Sequence, residues 1–143
     1  MQGLAPSADV KPRILIVDDE PGMTQLLARI LRGGHSVVQE TDPRHAIARV
    51  RDGERFELVL CDLMMAPIGG FDVYDGIVAA APELATRFVL MTGGTTSPEL
   101  EKKVTGWHHG VLYKPFNVAD VLAMVSARLA RAREVALGHA ALR

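Results

Sequence analysis

Hydrophobic and polar positions alternate along the chain in blocks that predict five repeats of a strand followed by a helix. Short runs rich in apolar residues, typical of buried strands, occupy positions 13–17, 35–40, 56–61, 87–91 and 111–113. Between these runs apolar residues recur at helical spacing, and the first predicted helix carries them at Met23, Leu26, Leu27, Ile30 and Leu31. Strands and helices in this alternation form a parallel sheet that helices cover on both faces.

Residues that favour helix starts stand between the apolar blocks. Pro21 suits the first turn of the first helix, and Asp42 followed by Pro43 suits the start of the second. Ser97 and Asn117 are expected to cap the fourth and fifth helices. These signals support the helix starts independently of the apolar spacing.

The strand pattern also predicts the topology. The first and fourth runs are apolar almost throughout, as strands buried on both faces are. With five strands and right-handed crossovers, the leading choice is a flavodoxin-like α/β fold, a (βα)5 doubly wound sandwich with parallel strand order 2-1-3-4-5. The crevice of this fold lies at the carboxyl ends of strands 1 and 3.

Residues 13–130 are expected to form one domain of this kind. Residues 1–12 contain Pro, Gly, Ser and Ala without periodicity and are expected to form a flexible arm. The last helix carries an apolar stripe through Leu129 and is expected to run on until Gly138 ends it. Residues 131–143 would then be an extension of that helix or a tail.

Composition narrows the function classes. The chain has 143 residues, 48% of them hydrophobic and 23% charged, as in ordinary globular domains. A formal net charge of -1 argues against a general nucleic-acid binder, which needs a basic face. The single cysteine, Cys61, excludes an internal disulfide, fits a reducing compartment and is expected in the core. Since no apolar run approaches the roughly 20 residues of a membrane span and no signal peptide is evident, we expect a cytoplasmic protein.

Five polar side chains follow the predicted strands and are expected to meet at the crevice: Asp18, Asp19, Asp62, Thr92 and Lys114. Three clustered carboxylates repel one another, and either protonation or a hard divalent cation relieves the repulsion. Mg²⁺ suits such a site because it binds one or two carboxylates and keeps room for phosphate oxygens. The Asp18-Asp19 pair alone more often caps a helix, so the metal interpretation depends on Asp62 joining the pair.

A metal-bound carboxylate at this crevice is a candidate nucleophile towards phosphorus, and Asp62 holds that position. The Thr92 hydroxyl and the Lys114 ammonium would complete a clamp for a phosphoryl group. Taken singly, Thr92 is an ordinary turn residue and Lys114 a solvated lysine at a strand end. It is the combination across four strand ends that indicates phosphoryl chemistry.

Four short segments carry a fixed pattern: ILIVDDE at 14–20, LVLCDLMM at 58–65 followed by Gly70, MTGG at 91–94 and YKPF at 113–116. The separations are 44 residues from Asp18 to Asp62, 30 from there to Thr92, and 22 from there to Lys114. With these segments and separations, residues 13–130 closely resemble a response-regulator receiver domain.

The resemblance implies a role for each residue of the pattern. Asp62 would be the phosphoacceptor, and Mg²⁺ would be held by Asp18, Asp19, Asp62 and the backbone carbonyl of Met64. In the same way, Thr92 would contact the phosphoryl group. Lys114 would pair with Asp62 or its phosphate, and the peptide bond from Lys114 to Pro115 would be cis.

The resemblance also implies partners. A sensor histidine kinase or a phosphotransfer protein would supply the phosphoryl group from a phosphohistidine, and phosphorylation would alter binding of a downstream protein target. The chain would be a signalling domain that catalyses its own phosphorylation and dephosphorylation, either stand-alone or as the receiver segment of a hybrid kinase. We expect no direct contact with nucleic acid or membrane, and a homodimer face on helix 4, strand 5 and helix 5.

The chain departs from the family pattern at two places. The proline that usually stands four residues after the phosphoacceptor is replaced by Ala66, and Pro67 follows one position later. The usual switch aromatic, three residues before the lysine, is replaced by Val111. A valine cannot swing as an aromatic ring does, so Tyr113 or Trp107 would have to substitute, although Trp107 is more simply a packed loop aromatic.

Two further positions bear on the lifetime of a phosphorylated state. Met64 follows two residues after Asp62, and Gly94 follows two residues after Thr92. Neither side chain can orient a hydrolytic water, so slow loss of phosphate is expected. Elsewhere, the arginines of the last helix are expected to form a solvated face.

Three other functions compete with a phospho-accepting module. An Asp-nucleophile phosphohydrolase of the haloacid-dehalogenase type has a second Asp two residues after the nucleophile, where this chain has Met64. A nucleotide-binding domain has a glycine-rich first turn, where this chain has Asp18, Asp19 and Glu20. A phosphorylation-independent pseudo-receiver would lack site residues, whereas all five are present here.

Overall fold

The computed structural model describes residues 10–94 and 97–141. The five strands are β1 (Arg13–Val17), β2 (Ser36–Glu40), β3 (Leu58–Asp62), β4 (Phe88–Thr92) and β5 (Val111–Tyr113). The five α-helices are α1 (Pro21–Leu31), α2 (Pro43–Arg51), α3 (Gly70–Ala80), α4 (Pro98–Thr105) and α5 (Val118–Ala141). The predicted alternation of strand and helix is confirmed, while the predicted flexible arm falls almost entirely on residues 1–9, outside the described ranges.

All five strands lie parallel in one sheet of order β2-β1-β3-β4-β5, so the predicted flavodoxin-like topology is confirmed. Register places Val17 opposite Cys61, Asp62 opposite Met91, and Thr92 opposite Tyr113. Because the strands are short and end nearly level, the residues at their carboxyl ends lie along one edge of the sheet. This register positions the candidate site.

The core has two halves, one on each face of the sheet. Leu15 and Val17 of β1 pack with α2 and α3, whereas Ile14 and Ile16 pack with α1 and α5. Every residue of β3 and β4 is buried, as expected for strands covered on both sides. Cys61 is fully buried in the first half, which confirms its predicted place.

The predicted helix caps are present. Pro21 begins α1, and the Asp42 carboxylate accepts from the Arg44 amide at 2.9 Å. The Asn117 side chain accepts from the Asp120 amide at 2.8 Å, and the Asp120 carboxylate accepts from the Asn117 amide at 3.3 Å. These bonds satisfy amides that would otherwise lack intrahelical partners.

Several details of the elements differ from the sequence predictions. β3 begins at Leu58 and β4 ends at Thr92, so Asp62 and Thr92 are the last strand residues and not the first loop residues. A short 3₁₀ helix, Pro82–Thr86, was not predicted. The prediction that Gly138 ends the last helix is wrong, because α5 continues to Ala141. A single glycine costs a helix only about 1 kcal/mol, which neighbouring helical residues outweigh.

The turn after β3 depends on Gly70, the first residue of α3. A Cβ atom there would lie 2.6 Å from the Asp62 carbonyl oxygen and 3.0 Å from the Leu63 Cα. Both neighbours are backbone atoms, so neither can rotate aside. The glycine therefore lets α3 start directly against the strand end that carries Asp62.

We predict that Gly70→Ala lowers the free energy of unfolding by about 1 to 3 kcal/mol, the usual cost of forcing extra atoms into a packed site. Gly33→Ala is the matched control, because nothing lies within 4 Å of a Cβ atom at position 33. Urea denaturation followed by circular dichroism measures both. Equal midpoints for the two variants would contradict the assigned role of Gly70.

Candidate functional site

The carboxyl edge of the sheet gathers most of the buried polar side chains in the described part of the chain. Among the described residues four polar or charged ones are buried. Asp18, Asp62 and Thr92 lie at this edge, and the fourth, Thr24, lies in α1. Asp18 directly follows β1 and is fully buried, and its Oδ1 accepts from the Glu20 amide at 2.9 Å. Since buried charges are costly without partners, the edge needs a counter-charge.

Lys114 supplies that counter-charge. Its Nζ lies 3.1 Å from Asp18 Oδ2 and 3.0 Å from Asp62 Oδ1, so one ammonium group bridges the ends of β1 and β3. The Lys114 amide donates to the Thr92 carbonyl at 2.7 Å, which anchors the chain just beyond β5. The peptide bond from Lys114 to Pro115 is cis, as the resemblance implied, and so is that from Ala66 to Pro67.

The carboxylates and the lysine shift each other's proton affinities. Burial and the nearby Asp18 charge raise the pKa of Asp62 from 3.8 to about 6, although the hydrogen bond and charge of Lys114 oppose the rise. Burial alone would lower the pKa of Lys114, but Asp62 and Asp18 outweigh it and raise that pKa. Lys114 is therefore a cation at neutral pH, while Asp62 remains short of full charge compensation.

Asp18, Asp19 and Asp62 can each offer a carboxylate oxygen to one cation, and these oxygens lie within 4.8 Å of one another. Asp18 and Asp62 are buried and Asp19 is exposed, so the cluster opens to solvent on one side. Buried oxygen donors with an open side are the kind of site that Mg²⁺ uses. The side chain of Met64 is 55% exposed, and the role of its backbone carbonyl stays a prediction.

Thr92 reaches the same edge as the last residue of β4. Its side chain is 3% exposed, and its hydroxyl oxygen accepts from the Gly94 amide at 3.0 Å. Beside it lies a cavity of about 170 Å³ whose walls include Glu101 and Thr105 of α4 and Tyr113 of β5. Sequence reasoning did not identify Glu101 and Thr105, and their only signal was a spacing of four residues on one helix.

The two aromatic candidates for a switch differ in their surroundings. Trp107 makes edge-to-face contacts with Phe71, Tyr74, Phe88 and His109, and its indole N–H donates to the Phe88 carbonyl at 3.2 Å. Trp107 is thus a packed loop aromatic, as the simpler interpretation held. By contrast, the side chain of Tyr113 is 62% exposed.

The prediction that the arginines of α5 form a solvated face is wrong for Arg128. Its Nη2 donates to the Thr86 carbonyl at 3.2 Å, and its Nε is buried without a hydrogen-bond partner. Burial accordingly lowers the pKa of this guanidinium. The Arg128 side chain thus reaches the last residue of the 3₁₀ helix, a contact that sequence spacing could not show. Arg131 and Arg133 are exposed, as predicted.

Comparison with known proteins identifies the family pattern. The model of the response regulator receiver domain matches residues 14–126. The transcriptional regulatory protein TcrA of Mycobacterium tuberculosis is 36% identical over 116 residues, covering 80% of this chain and 45% of TcrA. The DNA-binding response regulator MtrA of Mycolicibacterium smegmatis is 32% identical over 123 residues, covering 85% of this chain and 52% of MtrA. The chain thus spans about half the length of these relatives.

Solved structures share the fold. The crystal structure of adenylate cyclase from Rhodopirellula baltica superposes with a TM-score of 0.78 at 21% identity, covering 93% of this chain and 98% of that one. The chemotaxis protein CheY4 of Vibrio cholerae superposes with a TM-score of 0.72 at 26% identity, covering 82% and 98%. Within residues 10–94 and 97–141, no helix combines the length and apolar character needed to cross a membrane.

The raised pKa of Asp62 predicts a specific pH dependence in metal-free buffer. Between pH 4 and 6 the folded protein keeps a proton that the unfolded chain, with its ordinary pKa of 3.8, has already lost. Stability therefore falls as the pH rises through this window. Asp62→Asn removes this loss and should be more stable than the parent at pH 7.5 by about 1 to 2 kcal/mol, allowing for screening at the open side.

Urea denaturation in EDTA at pH 4, 6 and 7.5 measures this difference, which should shrink towards pH 4. Asp75→Asn, an exposed change on α3, serves as the control. If the stability of Asp62→Asn followed the parent at every pH, the assigned proton affinity of Asp62 would be wrong.

Proposed function

The chain belongs to the response-regulator receiver-domain family, and from that premise we propose that Asp62 accepts a phosphoryl group from a phosphohistidine in a Mg²⁺-dependent reaction. The observation that carries the proposal is the contact of one ammonium group, Lys114 Nζ, with both Asp18 and Asp62, at 3.1 and 3.0 Å. An unmodified carboxylate held beside a cation and two further carboxylates is suited to a reaction that adds negative charge under metal control.

The residues present fit a magnesium ion. Three carboxylates and one ammonium leave a formal excess of two negative charges, three minus one, when all are ionised. We propose that Asp18, Asp19 and Asp62 hold the ion together with the Met64 carbonyl. When bound, Mg²⁺ supplies charge neutralisation for the carboxylates and for the incoming phosphoryl oxygens. Binding would also lower the pKa of Asp62, because it favours the charged form.

The bonds that form and break in the transfer belong to Asp62 and the donor. A carboxylate oxygen of Asp62 attacks phosphorus in line, a phosphorus–oxygen bond forms, and the bond from phosphorus to the donor imidazole nitrogen breaks. The imidazole leaves with the bonding electrons and takes a proton from solvent. Lys114 then pairs with a phosphoryl oxygen, and the Thr92 hydroxyl donates to another.

The domain boundaries and partners follow from the same premise. We propose that residues 13–130 form the receiver domain and that residues 131–143 include a continuation of α5. The phosphoryl donor is a sensor histidine kinase or a phosphotransfer protein in the cytoplasm, and a downstream protein target binds the phosphorylated form. A homodimer through α4, β5 and α5 is a further possibility of this fold. The receiver itself makes no direct nucleic-acid contact, since a formal net charge of -1 offers no basic face.

We predict that acetyl phosphate with Mg²⁺ adds one phosphoryl group to the parent protein and none to Asp62→Asn. Of the two cluster carboxylates paired with Lys114, Asp18 is fully buried and only Asp62 keeps an exposed fraction. Intact-protein mass spectrometry with peptide mapping measures the product. Asp75→Asn, an exposed carboxylate on α3, should be modified like the parent. EDTA should reduce labelling at least tenfold. Labelling that survives in Asp62→Asn, or turnover of other phosphate esters, would refute the proposal.

A slow return to the unphosphorylated state is also predicted. Met64 is apolar and exposed, and Gly94 has no side chain, so neither can hold a water in line with phosphorus. Phosphorylated Asp62 should decay over hours, and Met64→Gln should speed decay several-fold by offering a hydrogen-bonding amide. Ala66→Gln, exposed in the same loop, is the control. Decay of the purified parent within seconds would contradict this explanation.

A further inference from the structure

The methionines of this chain differ widely in their access to solvent. Of the six in the sequence, five lie in the described ranges. Four of these belong to the two halves of the core or pack against them: Met23, Met65, Met91 and Met124. Met64 does neither, and at 55% exposure it is the one exposed methionine in the part of the chain that the structure describes. Its thioether is therefore open to oxidants that the core keeps away from the other four.

Met64 also borders a hollow at the surface beside the turn after β3. The hollow has a volume of about 250 Å³ and lies between this turn and α4, with Met65, Phe71, Leu100 and Lys103 among its walls. A water molecule takes up about 30 Å³ of liquid, so several small solutes fit in the hollow at once. A hydroperoxide can thus reach Met64 without any movement of the chain.

We propose that Met64 is an oxidation site and that a hydroperoxide, by converting its thioether to the sulfoxide, shortens the lifetime of phosphorylated Asp62. The inference rests on the proposed function, because it concerns the loss of the phosphoryl group that Asp62 accepts. It adds a form of regulation to the same site, since an oxidant then ends the phosphorylated state sooner.

The oxidation step needs only the thioether and the peroxide. A sulfur lone pair attacks one peroxide oxygen, a sulfur–oxygen bond forms and the oxygen–oxygen bond breaks. With hydrogen peroxide, the transferred oxygen gives its proton to the departing hydroxide, which leaves as water. Sulfur loses two electrons, and these reduce the peroxide. Because methionine sulfoxide reductases restore the thioether, the modification is reversible.

The sulfoxide oxygen supplies the acceptor that position 64 lacks. A thioether is a weak hydrogen-bond acceptor, whereas a sulfoxide carries a polar oxygen. That oxygen is bonded to the δ atom of the side chain, the same atom that carries the carbonyl oxygen in glutamine. Oxidised Met64 therefore resembles the Met64→Gln variant, which is expected to lose phosphate faster.

An acceptor at this position acts on the water that attacks phosphorus. Met64 stands two residues beyond Asp62, in the loop that follows β3. A water that donates a hydrogen bond to the sulfoxide oxygen is held with a lone pair free for phosphorus, and holding a reactant in place lowers the entropic cost of attack. Met64 is thus a positioning residue in its oxidised form, since its oxygen orients the water and does not touch phosphorus.

Oxidation at this position leaves the core intact. A polar oxygen buried without a partner destabilises a protein, so the same change at the fully buried Met91 would disrupt β4. The oxygen added to Met64 stays in contact with water. A faster loss of phosphate after oxidation would therefore reflect the site and not a loosened fold.

Peptide mapping of protein treated with hydrogen peroxide in EDTA tests the oxidation site itself, since EDTA removes stray metals that generate radicals. Met64 should gain one oxygen several-fold faster than Met65, its half-buried neighbour, and Met91 should stay unmodified. The midpoint of urea denaturation should be the same before and after this treatment. Equal rates of oxidation at Met64 and Met65 would overturn the assignment.

The lifetime is measured on oxidised and untreated protein, with peroxide removed before acetyl phosphate and Mg²⁺ are added. Intact-protein mass spectrometry should show several-fold faster decay of phosphorylated Asp62 in the oxidised protein, and sulfoxide reductases should restore the slow rate. Met64→Leu has no sulfur at this position, so peroxide treatment should leave its own decay rate unchanged. Met65→Leu keeps Met64 and should respond to peroxide as the parent does.

The possible results distinguish failure of the regulation from failure of the proposed function. Oxidised Met64 with an unchanged decay rate would overturn the regulation alone. A peroxide effect that persists in Met64→Leu would assign the effect to another residue and would also overturn it. Absence of phosphorylation in the untreated parent would overturn the proposed function and, with it, the regulation.

Discussion

The contact of one lysine with two aspartates is the interaction on which the site depends. Lys114 joins the ends of β1 and β3 from a position beyond β5, so it spans most of the width of the sheet's carboxyl edge. Without this cation, Asp18 and Asp62 would be two buried like charges, which is among the costliest arrangements a protein can hold. The sheet order brings the three side chains together, and the lysine charge reduces the repulsion between the two aspartates.

One lysine does not neutralise the three carboxylates, so the site keeps a net negative charge that can attract a metal ion. Burial and the Asp18 charge raise the pKa of Asp62, which means that its ionised form is destabilised. An added cation would stabilise that ionised form. Burial elsewhere in the sheet is almost entirely apolar, so the fold's stability comes from its two hydrophobic faces. The free energy of this apolar core therefore offsets the cost of the unbalanced charge at the edge.

Much of this architecture could be predicted from sequence because it is encoded locally. Strand order followed from five short apolar runs, and helix starts followed from Pro21, Asp42 and Asn117. The approach of Lys114 to the aspartates followed from strand ends meeting at one edge. Three features were missed. The 3₁₀ helix and the contact of Arg128 with Thr86 involve packing between segments, whereas the passage of α5 through Gly138 reflects the small cost of one glycine in a helix. The cavity beside Thr92 is likewise invisible in sequence, since its walls come from three separate elements.

The length of α5 has a mechanical consequence. At about 1.5 Å per residue, its 24 residues span about 36 Å, roughly twice the reach of a five-residue strand. Positions 133–138 near its end are all exposed, and Leu137 there is 70% exposed. Such a rod behaves as a lever whose base is clamped in the core, so a slight tilt at the clamp is magnified into a far larger displacement at the tip.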